Sequence, residues 1–492
     1  MTFNLLTSEK INRRFVDFLA FFLLILSTFI YLNQYSTLLF EGDIWWHIKA
    51  GQDILSTGKF PQIDGYSYTF AGQPWFAKEW LAQVIYAAAY NSGGWNVVLL
   101  VGTLAMSGAL ALMFLDISMY LKPTIAAFIV IICIFMLLVV GTIRPHILTF
   151  IPAVILTVRI FGNAERNEAP DFWLLPLIIV WANLHGSFTL GIITAGFAFL
   201  HYFERNRFSN RAVLTKWLVF MCLCPLVSLI NPYGIKPLLL TFSMVGGVNS
   251  MDHISEWKAL DFHVDKLVSY AYLLSIGALL LARPKLSLAK VFFLLLITYM
   301  MMYHARFIYV YFLLVPLIVA KEIANENPRI SNKHWATLPR DRLETFVSKW
   351  MGTIIVGGTL IGLGLFGFYA TRTPFSPPKT RTLEGAIAYI EKQHLTGPML
   401  NGYNLGGPLL FHGIKTFIDG RSDQLFLGDF FEQYMKTGED ADTKALAGIL
   451  TKYKIEWTIF EKQDVQNDYF TTLANWNKTY GDDQVTIYEL KK

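Results

Sequence analysis

Long apolar runs separated by short polar turns dominate the chain as far as residue 370. A helix needs about 20 mostly apolar residues to cross a bilayer, and fewer where the bilayer thins. On that measure there are eleven candidate spans: 16–37, 95–115, 123–141, 145–161, 172–183, 187–203, 217–231, 267–282, 288–303, 306–321 and 351–370. The fifth and sixth share one stretch, FWLLPLIIVWANLHGSFTLGIITAGFAFLHYF, with a polar break at Asn183-Leu184-His185-Gly186. It is either one long helix or a pair of short ones. The flanking loops decide, because 159–171 (Arg159, Arg166) and 204–216 (Arg205, Arg207, Arg211, Lys216) are both basic. The positive-inside rule puts both in the cytoplasm, so the segment goes out and returns.

The same rule places Lys10, Arg13 and Arg14 inside, with Arg283, Lys285 and the basic loop 321–350. Eleven crossings then leave the loop 38–79 and residues 371–492 on the outer face of the plasma (inner) membrane, with the N-terminus cytoplasmic. After the Pro-rich TPFSPPKTRT the pattern changes: helical stretches (GAIAYIEKQ, DFFEQYMKTG, TKALAGILTKY) alternate with short β-like runs (KTFIDG, EWTIFEK, QVTIYEL). The expected architecture is an all-α polytopic membrane bundle over 1–370, followed by a small extracytoplasmic α/β domain over 371–492.

Composition agrees with a multi-pass membrane protein: 54% hydrophobic, 16% charged, mean hydropathy +0.42. The net charge of +5 is carried by loops and reads as topology, and no basic patch interleaved with aromatics points to nucleic acid. Cys133, Cys222 and Cys224 lie in apolar runs and read as small buried hydrophobes. The basic flank in MTFNLLTSEKINRRF, with no small-residue cleavage site after it, predicts a retained signal-anchor helix.

Most distinctive polar residues fall at the outer helix ends. The first outer loop holds Glu41, Asp43 and His47, and the next outer turn is Gly141-Thr142-Ile143-Arg144-Pro145-His146. Asn183 and His185 sit in the break, Asn231-Pro232-Tyr233-Gly234 ends a run, and the loop 233–266 carries Asp252, His253, Glu256 and Trp257. His304 and Arg306 occupy the last short outer turn. Each alone has a plain explanation, such as an arginine reaching lipid headgroups or an Asn-Pro ending a helix. Arg144 and Arg306, however, both stand on the outer side against the charge rule, each two residues from a histidine. Polar groups kept at membrane depth face cavities, so the set predicts an outward polar cavity.

The stretch FEGDIWWHIKAGQDI, 40–54, is the sharpest element. As a helix it puts Asp43, His47 and Gly51 on one face, with Trp45 and Trp46 turned elsewhere as interfacial anchors. The two carboxylates of Glu41 and Asp43 need a partner there. They suit either a divalent metal or proton transfer from a nucleophile.

These residues resemble the GT-C superfamily of integral-membrane glycosyltransferases, which includes oligosaccharyltransferase catalytic subunits, protein O-mannosyltransferases and lipid A aminoarabinose transferases. The shared pattern is the acidic first-loop motif, here Glu41-Gly42-Asp43. A narrower likeness to a bacterial branch rests on Asp43–Gly51 (D-x-W-W-H-x-x-x-G), Asp64–Thr69, Trp75–Trp80, Asn401–Gly407 and Phe417–Asp423. The resemblance implies sugar transfer from a polyprenyl-phosphate-linked donor to an acceptor (glycan, lipid or protein) on the outer face. It makes Asp43 the catalytic carboxylate that deprotonates or orients the acceptor, assisted by Glu41. Arg144, Arg306, His304 and His146 become candidates for the donor phosphate, with His47, Lys78, Glu79, Asn183 and His185 auxiliary. Metal dependence stays open, Mg²⁺ or Mn²⁺ on Glu41 and Asp43 being one option. In the tail, Asp419-Gly420-Arg421-Ser422-Asp423 reads first as a tight turn whose Asp and Arg satisfy each other, and second as a glycan or lid contact. Two rival functions are a transporter or flippase of lipid-linked glycans and a non-catalytic scaffold of a glycan-assembly complex. A transporter should show paired inverted halves, yet only 172–203 is broken.

Overall fold

The computed structural model describes residues 2–245, 255–332 and 375–491, with Gly357, Gly364 and Gly367 as isolated further positions. The apolar run 351–370 and the pair Asp252–His253 lie outside the described residues. The protein is mostly helical, with one small mixed sheet near its C-terminus.

The helices are α1 (Thr2–Asn33), α2 (Asp43–Thr57), α3 (Trp80–Tyr120), α4 (Pro123–Val140), α5 (Phe150–Glu165), α6 (Leu174–Leu184), α7 (Phe188–Asn206), α8 (Arg211–Val227), α9 (Lys236–Val245), α10 (Lys266–Ala282), α11 (Leu288–Tyr303) and α12 (Ile308–Glu326). Among the described residues four stretches are long and apolar enough to cross a membrane: Val16–Asn33, Trp80–Tyr120, Pro145–Glu165 and Ala305–Glu326. Other apolar helices, such as α6, α10 and α11, are shorter than that measure. The stretch 172–203 is two helices, α6 and α7. They fold against each other where the Trp181 ring covers Gly191, and a Cβ there would meet the ring at 2.8 Å. Trp181 Nε1 donates to Ser187 Oγ across the break at 3.0 Å. Helix α3 runs on both sides of a kink at Gly93-Gly94, where Gly94 has φ +63°, so the span expected from 95 starts just beyond it.

Behind α12 come α13 (Glu384–Gln393), β1 (Met399–Asn401), α14 (Gly406–Phe411), α15 (Asp429–Glu439), α16 (Thr443–Lys452), β2 (Trp457–Glu461), α17 (Gln466–Thr472), β3 (Trp476–Gly481) and β4 (Val485–Leu490). The sheet order is β1-β2-β4-β3, with β1 parallel to β2 and the other pairs antiparallel. KTFIDG, expected as a strand, is irregular, with one bridge from Thr416 to Ser67. Side chains supply its backbone partners instead of a ladder. Asn401 Oδ1 accepts from Phe417 N at 2.9 Å, and Thr69 Oγ1 donates to Phe417 O at 2.6 Å.

The tail is fastened to the loop 38–79. Arg421, fully buried, donates to Asp419 through Nε and Nη2 at 2.7 Å each and to Asp64 through Nη1 at 2.6 Å. Its guanidinium lies 5.1 Å and 5.0 Å from the ring centres of Tyr66 and Trp75. Tyr68 donates to Met399 O at 2.6 Å, and the Gln424 amide exchanges hydrogen bonds with the Phe76 backbone. The anchor reading of the tryptophans is therefore corrected. Trp45 and Trp46 are 3% and 7% exposed. Trp45 packs edge-on to Trp95 and Phe411, and Trp46 packs on Trp75, so their partners are protein rings rather than headgroups. Glycine makes the close approach possible. Gly407 of α14 lies against the Gly42 backbone, and Gly51 of α2 against the Gln83 backbone, with no room for a Cβ at either.

Candidate active site

Under this lid of loop and tail, at the ends of the helices, is a cavity of about 390 Å³, within the range of small-molecule sites. One wall is the start of α2. Asp43 is its first residue, where the helix dipole favours a carboxylate, and Trp46 one turn on donates from Nε1 to Asp43 Oδ1 at 3.1 Å. A second wall is the turn 141–146. Arg144 precedes a proline and is extended, φ −143° and ψ 165°, which aims its side chain off the helix axis. The Tyr86 hydroxyl fixes it by donating to Arg144 O at 3.0 Å.

Arg144 is the hub of the site. Its Nη2 pairs with Asp43 and lies 3.8 Å from Glu41, while its Nη1 pairs with Glu256. The other oxygen of Glu256 faces Arg306 Nη1 at 3.6 Å, and Arg306 stacks over Trp257 at 4.3 Å. Lys78, which also lines the cavity, pairs with Asp423 of the tail. Next to it Glu79 sits between two imidazoles, with Oε1 3.3 Å from His185 Nε2 and Oε2 3.7 Å from His47 Nε2.

Six lining carboxylates (Glu41, Asp43, Glu79, Glu256, Asp265, Asp423) face three lining cations (Lys78, Arg144, Arg306). That surplus splits the titrations. Burial pushes Asp43 up to about 6 against the pull of Arg144, with Glu41 adding to the rise. Burial likewise lifts Glu79 to about 7, which the charge of Lys78 only partly offsets. Burial raises Glu256 too, but Arg144 and Arg306 together outweigh it and hold that carboxyl at about 2. Burial, then Arg144 and Lys78, keep His47 well below its usual range and neutral.

Of the sequence candidates, Glu41, Asp43, His47, Lys78, Glu79, Arg144, His146, His185, Arg306 and Asp423 all line this cavity. Four others do not. Asn183 is consumed by structure, accepting from Trp80 Nε1 at 2.5 Å and donating to Ile179 O and Ile230 O. His304 turns its Nδ1 to Trp257 O. Asp419 and Arg421 form the buried clasp with Asp64. Sequence reasoning named Glu256 in the loop 233–266 without giving it a role, and gave none to Tyr403, whose hydroxyl shares a hydrogen bond with Ser422 at 2.8 Å. Among the described residues no group of three or more His, Cys, Asp or Glu is placed to share a metal ion. The carboxylates that do converge meet on the Arg144 guanidinium, so the arrangement does not fit the metal expected on Glu41 and Asp43.

No protein-family model matches the chain, and no curated protein matches it. Solved structures do. The oligosaccharyltransferase AglB from Archaeoglobus fulgidus, in complex with an inhibitory peptide and a dolichol-phosphate, aligns over 90% of this chain and 69% of its own, with TM-score 0.53 and 10% identity. The Archaeoglobus fulgidus oligosaccharyltransferase tethered with an acceptor peptide aligns over the same shares, with TM-score 0.51 and 10% identity. ArnT from Cupriavidus metallidurans bound to undecaprenyl phosphate aligns over 94% of this chain and 97% of its own, with TM-score 0.49 and 12% identity. The chain shares the fold of the archaeal oligosaccharyltransferases.

Proposed function

We propose that this protein is a membrane glycosyltransferase that moves a sugar from a polyprenyl-phosphate-linked donor to an acceptor on the extracytoplasmic face. The observation that carries the reading is the Glu256 bridge. One carboxylate gives one oxygen to Arg144 and the other to Arg306, as two oxygens of a phosphate would be shared between two guanidiniums. The donor phosphate takes that place when it enters. The two arginines then face the phosphate oxygen on which charge grows as the anomeric bond breaks, where preorganised cations act most strongly. Asp43, with one oxygen on Arg144 and the other on Trp46, holds the guanidinium in position, with Glu41 behind it. No step is routed through a metal, because the convergent carboxylates are committed to Arg144. The AglB structure described with a dolichol-phosphate supports a lipid phosphate in this fold. The topology that goes with the reading is the eleven-span one, with the N-terminus cytoplasmic, residues 371–492 outside as a small domain, and the plasma membrane as the location.

The test is to incubate the full chain in lipid nanodiscs with a panel of polyprenyl-phosphate monosaccharides and follow the release of polyprenyl phosphate. Donor-dependent release supports the reading. A chain that neither binds nor turns over any member of the panel defeats it.

A further inference from the structure

The cavity holds two chemically different sets of carboxylates, and the proposed donor site uses only one. Asp43 is spoken for on both oxygens, by Arg144 and by Trp46 Nε1. Glu79 is not: among the described residues no lysine or arginine lies within ion-pair distance of it, and what it meets is two imidazole edges. The hydrogen bonds on the far side of each ring fix which nitrogen carries the proton. The backbone N–H of Ser187 donates to His185 Nδ1 at 3.1 Å, and the Gln83 amide donates to His47 Nδ1 at 3.3 Å. Both Nδ1 atoms are thus acceptors, and both Nε2–H groups face the Glu79 carboxylate. Two neutral N–H dipoles orient a carboxylate without neutralising it. An arginine in their place would strip it of basicity.

We infer that Glu79, oriented by His47 and His185, is the base that takes the proton from an acceptor hydroxyl, and that the acceptor is a carbohydrate alcohol. Phe76 and Tyr403 line the same cavity, along with Ser422 and Gln424, and give it the mixed apolar and polar lining that a sugar ring needs. This rests on the glycosyltransferase reading. In the step, the acceptor O–H proton passes to a Glu79 oxygen and the acceptor oxygen bonds to the anomeric carbon. The anomeric carbon–oxygen bond to phosphate breaks, its electron pair staying on the phosphate oxygen held by Arg144 and Arg306. Glu79 then returns its proton to water. The charged and titratable groups facing it are Lys78 on its own segment, His47 on α2, His185 in the α6–α7 break, Asp423 in the tail, and, more distantly, Arg144 and Arg306.

The experiment uses the full chain in nanodiscs, a polyprenyl-phosphate monosaccharide, glycerol and water as hydroxyl acceptors, and azide as an acceptor with no proton to lose. Glu79→Gln should slow transfer to glycerol and water by about 10²–10³-fold with the donor KM changed less than about threefold. Azide should raise donor turnover of this variant about tenfold or more, giving the glycosyl azide, while Arg144→Gln gains nothing from azide. His185→Phe, which removes one oriented N–H, should move the midpoint of the pH–rate profile upward by about half a unit. The base assignment is overturned if Glu79→Gln transfers to glycerol within threefold of the parent, or if azide fails to rescue it. An unmoved midpoint in His185→Phe overturns the positioning role. A parent protein inert toward every donor defeats the glycosyltransferase reading itself, and the base with it.

Discussion

Two charge clusters, one half-buried and built on an arginine and one buried and built on lysines, sit at opposite ends of the helices. At one end Arg144 gathers Asp43, Glu41 and Glu256 around a cavity. At the other end Lys290 of α11, 1% exposed, donates to Glu165 at 2.5 Å, Glu322 at 2.6 Å and Ile318 O at 3.2 Å, and Lys321 adds a second ammonium to Glu165 at 2.6 Å. Lys290 has three N–H groups and three acceptors, so it is complete. Its partners project from the helices α5 and α12, so the network ties helix to helix. The Arg144 cluster draws on turns and loops, has carboxylates in excess, and opens on space for a ligand. Buried charge alone does not mark a site; an incomplete set of partners beside a cavity does.

That contrast is broken most severely through the two hubs. Arg144→Gln should lower donor turnover by about 10³-fold or more, since it removes a preorganised cation from the breaking bond. The readout is polyprenyl phosphate release from folded protein in nanodiscs. Lys290→Met should act in the opposite sense, on stability. It leaves Glu322 without its ammonium and Glu165 with only Lys321, at a cost of about 3–5 kcal/mol. Thermal unfolding in lipid should show the loss, while the surviving folded fraction turns over within about twofold of the parent. A stable Lys290→Met protein with dead chemistry would erase the distinction between the clusters.

The pH dependence sharpens the comparison further. A base works only when ionised, and burial moves the ionisation of Glu79 from the usual 4.5 up to about 7. Transfer to a hydroxyl should therefore rise with pH through about 7 and level off above it, and Glu79→Gln should remove the inflection near 7 while the one that Asp43 contributes near 6 stays. Glu256, held down at about 2, stays ionised across the same window and adds no inflection.

Much of this was legible in the chain, for identifiable reasons. Apolar run length located the helices, and the basic loops on either side separated α6 from α7, where His185 leaves the helix in an extended conformation. Arg144 and Arg306 stood out because they violate the charge rule, and both line the cavity. What misled was contact between segments hundreds of residues apart. A tryptophan at a helix edge looks the same whether headgroups cover it or a tail folds over it, and Trp45 turned out to meet Phe411. Asn183 and His304 had the polarity of site residues but are consumed by Trp80 and Trp257. No local pattern could pair Arg421 with Asp64, 357 residues away.

The smallest effect expected is the one that bears most directly on how the donor enters. Glu256 pairs with the two guanidiniums proposed for the donor phosphate, so its carboxylate competes with that phosphate. Replacing it with glutamine keeps the shape but removes the charge that competes with the phosphate. Loss of that competition should lower the donor KM by about three- to tenfold, because a charge-assisted pair contributes about 1 kcal/mol more than a neutral hydrogen bond. Turnover at saturating donor should change little, since Glu256 has left the arginines by then. The Lys290 cluster offers the control: Glu322→Gln, at a comparable ion pair with no ligand to admit, should leave the donor KM where it was. If Glu256→Gln instead raises the donor KM, the carboxylate is a support for the arginines rather than a stand-in for phosphate, and the two clusters are more alike than the cavity suggests.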